Sequence, residues 1–379
     1  MQSKHLKRFI TIIILSVFSV YRAYAFETTG KQIILFDTST DTVLLEKNAD
    51  MPMAPSSMSK IMTIYKVFEK IKDGDLSLND KFKVSEKAWR KGGSKMFVKL
   101  NSRVKVEDLI RGVIVQSGND ATIVLAEGLS GTEGFFADEM NKTAKDLGML
   151  NSNFTNASGW PDPKHLTTAR DLTKLAIATI QDFPEFYHYY EEKIFSFNKI
   201  RQTNRNPALY KDLGADGLKT GYTKAGGYGV TVSAVRGDRR LVLVVNGLKS
   251  KRLRASETER VLDWGFRNFR NYELFDAGGT VTDGAVWMGN KDKVPLITEK
   301  KIVMTLSRKQ RRAMKVKVLF NTPIPAPISK GVKLGSLKID VPDREPVIYP
   351  LVSGGSVSKL SALSRLNVTF KYLLWGELK

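Results

Sequence analysis

Ser57 and Lys60 are the two residues of this sequence that most directly suggest covalent chemistry. They stand in the stretch APSSMSKIMTIYKVFEK, after a proline and at the start of an apolar pattern with helical spacing. Residues three apart share a helix face, so Lys60 would lie beside the Ser57 hydroxyl. Because a serine hydroxyl is a weak nucleophile until a base accepts its proton, the pair predicts a serine nucleophile with a lysine base.

The spacing of Ser57 and Lys60 is weak evidence by itself. The same Ser-x-x-Lys spacing occurs at Ser102/Lys105, Ser196/Lys199 and Ser356/Lys359. None of these three begins a long helix with an apolar face. A helix start adds free amides and the positive end of the helix dipole, which favour an anionic intermediate. Local context therefore favours Ser57.

Composition narrows the choice of base and of site. The chain has no cysteine, and His165 and His188 are its only histidines after residue 25. A cysteine nucleophile and a cysteine-ligated zinc are excluded, and a Ser-His-Asp triad or a multi-histidine metal site is hard to assemble. We expect no metal and no cofactor. Lys60 must be neutral to act as a base, so its pKa must fall by about three units, through burial or a second cation.

Two further motifs follow in chain order. Ser117 and Asn119 lie in a Ser-Gly-Asn motif at a break between two helical patterns, and the single Lys-Thr-Gly motif begins at Lys219. Ser117 can relay a proton to a leaving amine, and Asn119 can orient a substrate amide. Lys219 can act as the second cation or hold a substrate carboxylate, with Thr220 donating a hydrogen bond. Gly221 lets the backbone approach a ligand closely.

The elements that must position these residues indicate an α+β fold. KQIILFDTSTDTVLLEK predicts one β-hairpin, and YGVTVSAVR with RRLVLVVNG predicts another. Helical patterns lie between them in VEDLIRGVIVQ, DATIVLAEGL and ARDLTKLAIATI, and a further helix is predicted over 256–271. This order predicts an antiparallel sheet flanked by a helical cluster. The stretch DAGGTVTDG resembles a linker, and KKIVMTL, AMKVKVLF and KLGSLKIDV beyond it predict a small all-β domain.

The two ends of the chain suggest export and attachment to a membrane surface. Residues 1–25 have a basic start, an apolar stretch and an Ala-Tyr-Ala ending, as in a cleaved signal peptide; the alternative is a transmembrane anchor. In residues 359–379, six apolar side chains share one helix face, and Trp375 stands near the end. This pattern favours an amphipathic helix lying in a membrane surface, and packing against the β-domain is the alternative.

These patterns divide the chain into a signal peptide (1–25), a catalytic domain (26–275), a small β-rich domain (276–358) and an amphipathic anchor helix (359–379). The net charge of +21 would ordinarily suggest nucleic acid. For an exported protein we expect no nucleic acid and favour an anionic membrane or cell-wall polymer. The densest basic cluster, over 308–317, is either a binding patch or a solvated turn.

Taken together, the three motifs resemble those of penicillin-binding proteins and serine β-lactamases. More closely, the sequence is similar to the low-molecular-mass D-alanyl-D-alanine carboxypeptidases. The similarity includes SSMSKIMTIY, VQSGNDATIVLAE, NASGWPDPKHLTTARDL, DGLKTGYTKAGGYG and ERVLDWGFRNF. It implies a β-lactamase-like catalytic domain that removes the terminal D-Ala from peptidoglycan stem pentapeptides through an acyl-enzyme. It also implies acylation by β-lactams and a periplasmic location on the outer face of the cytoplasmic membrane.

The resemblance also implies roles for individual residues. Ser57 would be the nucleophile, and the backbone N–H groups of Ser57 and Tyr222 would form an oxyanion hole. Arg254, placed by counting back from the Trp-Gly-Phe at 264–266, would help to bind the substrate carboxylate. Members of the family often have His-Thr after Lys-Thr-Gly, where this chain has Tyr222 and Thr223. A β-lactamase and a non-catalytic binding scaffold are the rival interpretations.

Overall fold

The computed structural model describes residues 26–375. The predicted signal peptide and the last four residues of the predicted anchor lie outside this range. The strands, in chain order, are β1 (Gln32–Asp37), β2 (Thr42–Lys47), β3 (Lys81–Lys83), β4 (Arg103–Lys105), β5 (Ile194–Phe197), β6 (Ile200–Thr203), β7 (Ala215–Thr223), β8 (Gly227–Arg236), β9 (Arg239–Leu248), β10 (Phe269–Phe275), β11 (Thr280–Trp287), β12 (Lys293–Ile297), β13 (Ile302–Ser307), β14 (Lys315–Phe320), β15 (Ile324–Pro325), β16 (Lys333–Asp340) and β17 (Val347–Ser353).

The helices lie mostly between the two strand-rich regions of the chain. They are α1 (Lys60–Lys72), α2 (Glu86–Arg90), α3 (Val106–Ile114), α4 (Asn119–Ser130), α5 (Glu133–Asp146), α6 (Ala169–Asp182), α7 (Lys251–Asn268), α8 (Arg308–Ala313) and α9 (Ala362–Trp375). Shorter 3-10 turns cover Ser56–Ser59, Tyr187–Glu191 and Pro207–Tyr210. The α+β fold expected from the sequence is confirmed.

An antiparallel sheet in the order β2-β1-β9-β8-β7 forms the centre of the larger region. Successive side chains of a strand point to opposite faces, and β1 shows this clearly. Ile34 packs with the cluster of α1, α3, α4 and α6, whereas Ile33 and Leu35 pack with α7 on the other face. β7 stands at one end of the sheet, so its outer edge is free to meet a ligand.

The helix predicted over 256–271 has different limits in the structure. α7 begins earlier, at Lys251, because the Ser250 side chain accepts a hydrogen bond from the N–H of Leu253 and so caps the helix. It ends at Asn268, and the chain continues as β10 from Phe269. Sequence periodicity missed this N-cap and extended the helix into a strand.

The C-terminal strands form a second core. A sheet in the order β14-β16-β17-β12-β11-β15 lies beside the β10–β13 pair, and their apolar side chains share one buried cluster. β10 precedes the boundary predicted after residue 275, yet it pairs with β13 beyond that boundary. Of the stretch predicted as a linker, only residues 276–279 join β10 to β11, and its second half is the start of β11 itself.

Helix α9 follows the last strand and exposes its apolar residues. Leu363 is 82% exposed and Leu373 is 75% exposed, and Leu366, Phe370 and Leu374 are exposed as well. The expected alternative, in which this helix packs its apolar face on the β-domain, is therefore not what the structure has. Within residues 26–375, every helix is too short or too polar to cross a membrane.

Candidate active site

The predicted nucleophile lies in a tight turn directly before α1. Ser57 belongs to the 3-10 turn Ser56–Ser59, not to the α-helix itself as the sequence pattern suggested. Ser56 has a positive φ of 54°, a conformation that non-glycine residues rarely adopt. In a 3-10 turn residues i and i+3 eclipse each other. Lys60 therefore stands over Ser57, with 3.0 Å between its Nζ and the Ser57 Oγ.

Lys60 is fully buried, and its amine is oriented by two other oxygens. Nζ lies 2.8 Å from Asn119 Oδ1 and 2.6 Å from the Ser158 carbonyl. A neutral amine has two N–H donors and one lone pair. With both donors directed to these oxygens, the lone pair is left for the Ser57 hydroxyl. The hydrogen bonds therefore suit Lys60 as a base.

The surroundings of Lys60 also favour its neutral form. Burial, aided by the charges of Arg205 and Lys91, lowers its pKa from near 10.5 to about 7, although Asp120 acts in the opposite direction. The shift corresponds to roughly 5 kcal/mol of relative destabilisation of the ammonium form. Close to half of the Lys60 side chains are then neutral at pH 7.

Asn119 and Asp120 connect α4 to the loop of residues 91–98. Asn119 contacts Lys60 through Oδ1, and its Nδ2 donates to the Gly92 carbonyl at 2.9 Å. The Asp120 carboxylate accepts hydrogen bonds from the backbone N–H groups of residues 96, 97 and 98. Ser117 is buried, with a positive φ of 59°. The start of α4 thus fixes one wall of the groove beside Lys60.

The edge strand β7 forms the opposite wall. Its central residues Lys219, Thr220 and Gly221 are all buried. A Cβ on Gly221 would lie 2.8 Å from the Pro55 carbonyl and 3.1 Å from Ser56 Cβ. Only glycine therefore lets β7 pass this close to the turn that carries Ser57.

A cluster of basic side chains lies at the Lys219 side of the groove. Burial lowers the pKa of Lys219 well below its usual value, and the charges of Lys60, Arg205 and Arg254 add to this effect. Arg254 is buried and donates to the Arg205 carbonyl at 3.4 Å. Burial lowers the pKa of Arg254 to about 10, so it stays charged at neutral pH. Such a cluster suits a substrate carboxylate.

Arg205 is a member of this cluster that sequence reasoning did not find. It stands between two buried asparagines before a 3-10 turn, and its Nη1 donates to Ser94 Oγ at 2.5 Å. No motif surrounds it. Its Asn-Arg-Asn context was the available signal, and its importance depends on contacts with distant parts of the chain.

The other end of the groove is apolar. A pocket of about 340 Å³ opens beside Ser56, between the end of β7 and the segment 159–166. Trp160 and Thr223 contribute to its walls. Tyr222 is exposed, and its ring stacks on Tyr228 with 4.2 Å between the ring centroids. Among residues 26–375, no group of three or more histidine, aspartate or glutamate side chains could hold a metal ion.

Two protein-family models match successive parts of the chain. Residues 19–250 match the D-alanyl-D-alanine carboxypeptidase family, and residues 269–359 match the C-terminal domain of penicillin-binding protein 5. Among curated proteins, the carboxypeptidase DacC of Escherichia coli (strain K12) is 39% identical over 352 residues. That alignment covers 90% of this chain and 88% of the relative.

Solved structures agree with this assignment. The carboxypeptidase DacD of Francisella tularensis superposes with a TM-score of 0.80 at 32% identity, covering 94% of this chain and 98% of that one. Penicillin-binding protein D2 of Listeria monocytogenes, solved in an ampicillin-bound form, has a TM-score of 0.58 at 29% identity. It covers 62% of this chain and 97% of its own. This chain therefore belongs to the D-alanyl-D-alanine carboxypeptidase family.

Proposed function

We propose that this chain removes the terminal D-alanine from peptidoglycan stem pentapeptides through an acyl-enzyme on Ser57. The observation that carries the proposal is the geometry of Lys60. Its amine is buried, has a pKa of about 7, and has its lone pair free for the Ser57 hydroxyl 3.0 Å away. This arrangement supplies an activated serine without histidine.

In the acylation step, Lys60 Nζ accepts the proton of the Ser57 hydroxyl while Oγ attacks the carbonyl carbon of the penultimate D-alanine. The N–H groups of Ser57 and Tyr222 stabilise the oxyanion. The peptide bond then breaks as Ser117 donates its hydroxyl proton to the leaving amine and takes a proton from Lys60, which becomes neutral again, and D-alanine departs. In the second step Lys60 accepts a proton from the water that attacks the ester and returns it to Ser57 Oγ as the acid product leaves.

Substrate orientation follows from the two ends of the groove. Lys219, Thr220 and Arg254, together with Arg205, bind the carboxylate of the departing D-alanine. Asn119 contacts the substrate amide as well as Lys60. The rest of the stem peptide then lies along β7 toward the apolar pocket near Thr223. An extended peptide can add to a free sheet edge in this way through main-chain hydrogen bonds.

β-Lactams react with Ser57 because they present a strained amide and a carboxylate at the positions of the D-Ala-D-Ala end. Penicillin therefore distinguishes the proposed activity from that of a β-lactamase. A long-lived covalent adduct is expected here, whereas rapid turnover of penicillin would indicate the lactamase.

The direct test is mass spectrometry of the products from a synthetic peptide ending in D-Ala-D-Ala. We expect loss of one alanine and a penicillin adduct on Ser57. Ser57→Ala should abolish both, and Ser356→Ala, which removes the serine of another Ser-x-x-Lys sequence, should change neither. A Ser57→Ala protein that still releases D-alanine would refute the mechanism. An unchanged biological activity of Ser57→Ala would favour a non-catalytic scaffold.

The proposed location is the periplasmic face of the cytoplasmic membrane, which suits an enzyme that acts on the cell wall and influences cell shape. The predicted signal peptide would direct export. The exposed apolar row of α9 supports attachment parallel to the membrane surface. Peptidoglycan stem peptides and β-lactams are the partners in this proposal.

A further inference from the structure

A chain of hydrogen bonds runs from His165 to the peptide group directly before the nucleophile. The Ser59 hydroxyl donates to the Ser56 carbonyl at 2.8 Å, and His165 Nε2 lies 2.8 Å from Ser59 Oγ. Ser59 and His165 are 0% and 2% exposed. The role proposed for Lys60 does not involve either of these two contacts, so they call for a separate explanation.

The direction of each bond follows from the backbone. The N–H of Thr155, which can only donate, points to His165 Nδ1 at 3.1 Å. Nδ1 is therefore the acceptor, and Nε2 carries the hydrogen that it donates to Ser59 Oγ. Ser59 in turn has its own hydrogen free for the Ser56 carbonyl. Burial and the charge of Lys60 lower the pKa of His165 to about 4, against the opposing charge of Asp162, so the ring stays neutral at pH 7.

The Ser56 carbonyl and the Ser57 N–H belong to one planar peptide group. The bond is trans, so the two groups point in opposite directions, and fixing the oxygen fixes the direction of the N–H. The Ser56 side chain is held as well, since its hydroxyl donates to Thr223 Oγ1 at 3.0 Å. A Cβ at Gly159 would lie 1.8 Å from the Ser56 oxygen, so only glycine permits the 159–166 segment to pack here.

We infer that His165 is a positioning residue which, through Ser59, aims the Ser57 N–H into the oxyanion hole. This inference rests on the proposed function, in which that N–H stabilises the tetrahedral intermediate. Donors that point at the developing charge stabilise the transition state more than the bound substrate. A misdirected N–H should therefore reduce kcat with little change in KM.

Two substitutions at His165 separate hydrogen bonding from packing, since the ring also packs edge-to-face on Phe154. The glutamine side chain can place an N–H near the position of Nε2 and so keep the donor to Ser59. Asparagine reaches only the position of Nδ1; it keeps an acceptor for Thr155 and loses the donor to Ser59. Both amides lack the aromatic ring and thus control for its loss.

His165→Asn is expected to lower kcat for release of D-alanine about tenfold to a hundredfold, with KM within about threefold of the parent; complete loss of one oxyanion donor costs more. Affinity for a boronic acid that forms a tetrahedral adduct with Ser57 should fall by the same factor as kcat. The apparent pKa of acylation should not move, because Lys60 is untouched. His165→Gln should stay within about threefold of the parent in every measurement.

Ser59→Ala provides a second route, because it removes the relay and leaves the His165 ring in place. Its effect and that of His165→Asn should be non-additive, since each breaks the same chain. Three results would each overturn the inference. The first is an equal loss of kcat in the glutamine and asparagine variants, and the second is an unchanged kcat in His165→Asn. The third is full additivity of the effects of Ser59→Ala and His165→Asn. If the parent protein neither releases D-alanine nor binds penicillin, the proposed function itself fails. If the parent does both and His165→Asn matches it, only the role of His165 fails.

Discussion

The amine of Lys60 illustrates how one residue obtains its reactivity from its neighbours. Burial makes the ammonium form costly, and the hydrogen bonds to Asn119 and the Ser158 carbonyl leave one lone pair facing Ser57. Asp120 limits the pKa shift, so the pKa settles at about 7 rather than lower. A base with a pKa near the working pH combines a large neutral fraction with good proton affinity.

We expect the acylation rate by penicillin to follow the neutral fraction of Lys60. The amine is protonated below its pKa of about 7, so the rate should rise about tenfold per pH unit below pH 6 and level off above pH 8. Stopped-flow measurement of acylation from pH 5 to pH 9 checks this. Lys359→Ala, in another Ser-x-x-Lys sequence, should have the same profile as the parent, and a flat parent profile would rule out Lys60 as the base.

At the residue scale, sequence motifs indicated the residues that the fold brings to the groove, but not all of their neighbours. Ser57, Lys60 and Asn119 were identified because they belong to short motifs with chemical meaning. Their catalytic roles stay predictions. Arg205 and His165 carry no such motif. Their contacts join segments about 100 residues apart, so local periodicity and spacing contain no trace of them.

Among the elements, α4 has two functions at its first turn. Asn119 contacts the base, and the Asp120 carboxylate holds the loop of residues 91–98 through three backbone N–H groups. The same carboxylate raises the pKa of Lys60. Loop geometry and base strength are therefore linked through one side chain.

Asp120→Asn should separate these two effects. Without the negative charge, the pKa of Lys60 falls, so the rising limb of the acylation profile should move to lower pH. The amide can accept fewer of the loop hydrogen bonds, so the maximal rate and the free energy of unfolding should both decrease, the latter by about 1–3 kcal/mol.

The pH profile of acylation and a urea titration provide these measurements. Asp138→Asn, at an exposed position on α5, serves as the matched control and should change neither. A rising limb displaced to higher pH would contradict the electrostatic role of Asp120.

Element boundaries were the least predictable part of the fold. Strands β8, β9, β13, β14 and β16 were found because their β-branched residues repeat in short runs. The start of α7 was missed because its N-cap lies six residues before the apolar pattern becomes clear. The sequence pattern predicts helix at Ser57, where the structure has a 3-10 turn, since a positive φ at Ser56 leaves no mark on hydrophobic periodicity.

For the molecule as a whole, the proposed attachment through α9 would determine where the site works. The bridge between Gly289 and Lys359 fixes the chain just before α9, and the apolar row of that helix is exposed. The sequence predicted this layout of catalytic region, β-domain and helix, and its domain limits stay predictions. β10 lies before the predicted limit at residue 275 but pairs with β13 beyond it. Sequence patterns do not show such pairing, because it joins residues that are distant in sequence.

Deleting residues 362–379 should release the protein from vesicles that contain anionic phospholipid, while kcat on a soluble peptide stays within about twofold. The deletion spares the Gly289–Lys359 bridge, so the β-domain should keep its fold. Co-sedimentation measures the release. The double substitution Leu366→Ser/Phe370→Ser should reproduce it, and Asn367→Ala should not. Continued binding by the deleted protein would refute attachment through this helix.

The free edge of β7 has a consequence for solubility. A sheet edge that stays open for a peptide is also open to a strand of another protein copy, which is a common route to aggregation. Here the central residues of that edge are buried between the Ser57 turn and the walls of the groove. We expect a flexible, extended peptide to enter this groove more readily than a flat strand of a folded neighbour. The walls beside β7 would then protect the unpaired strand from edge-to-edge pairing between copies of the protein.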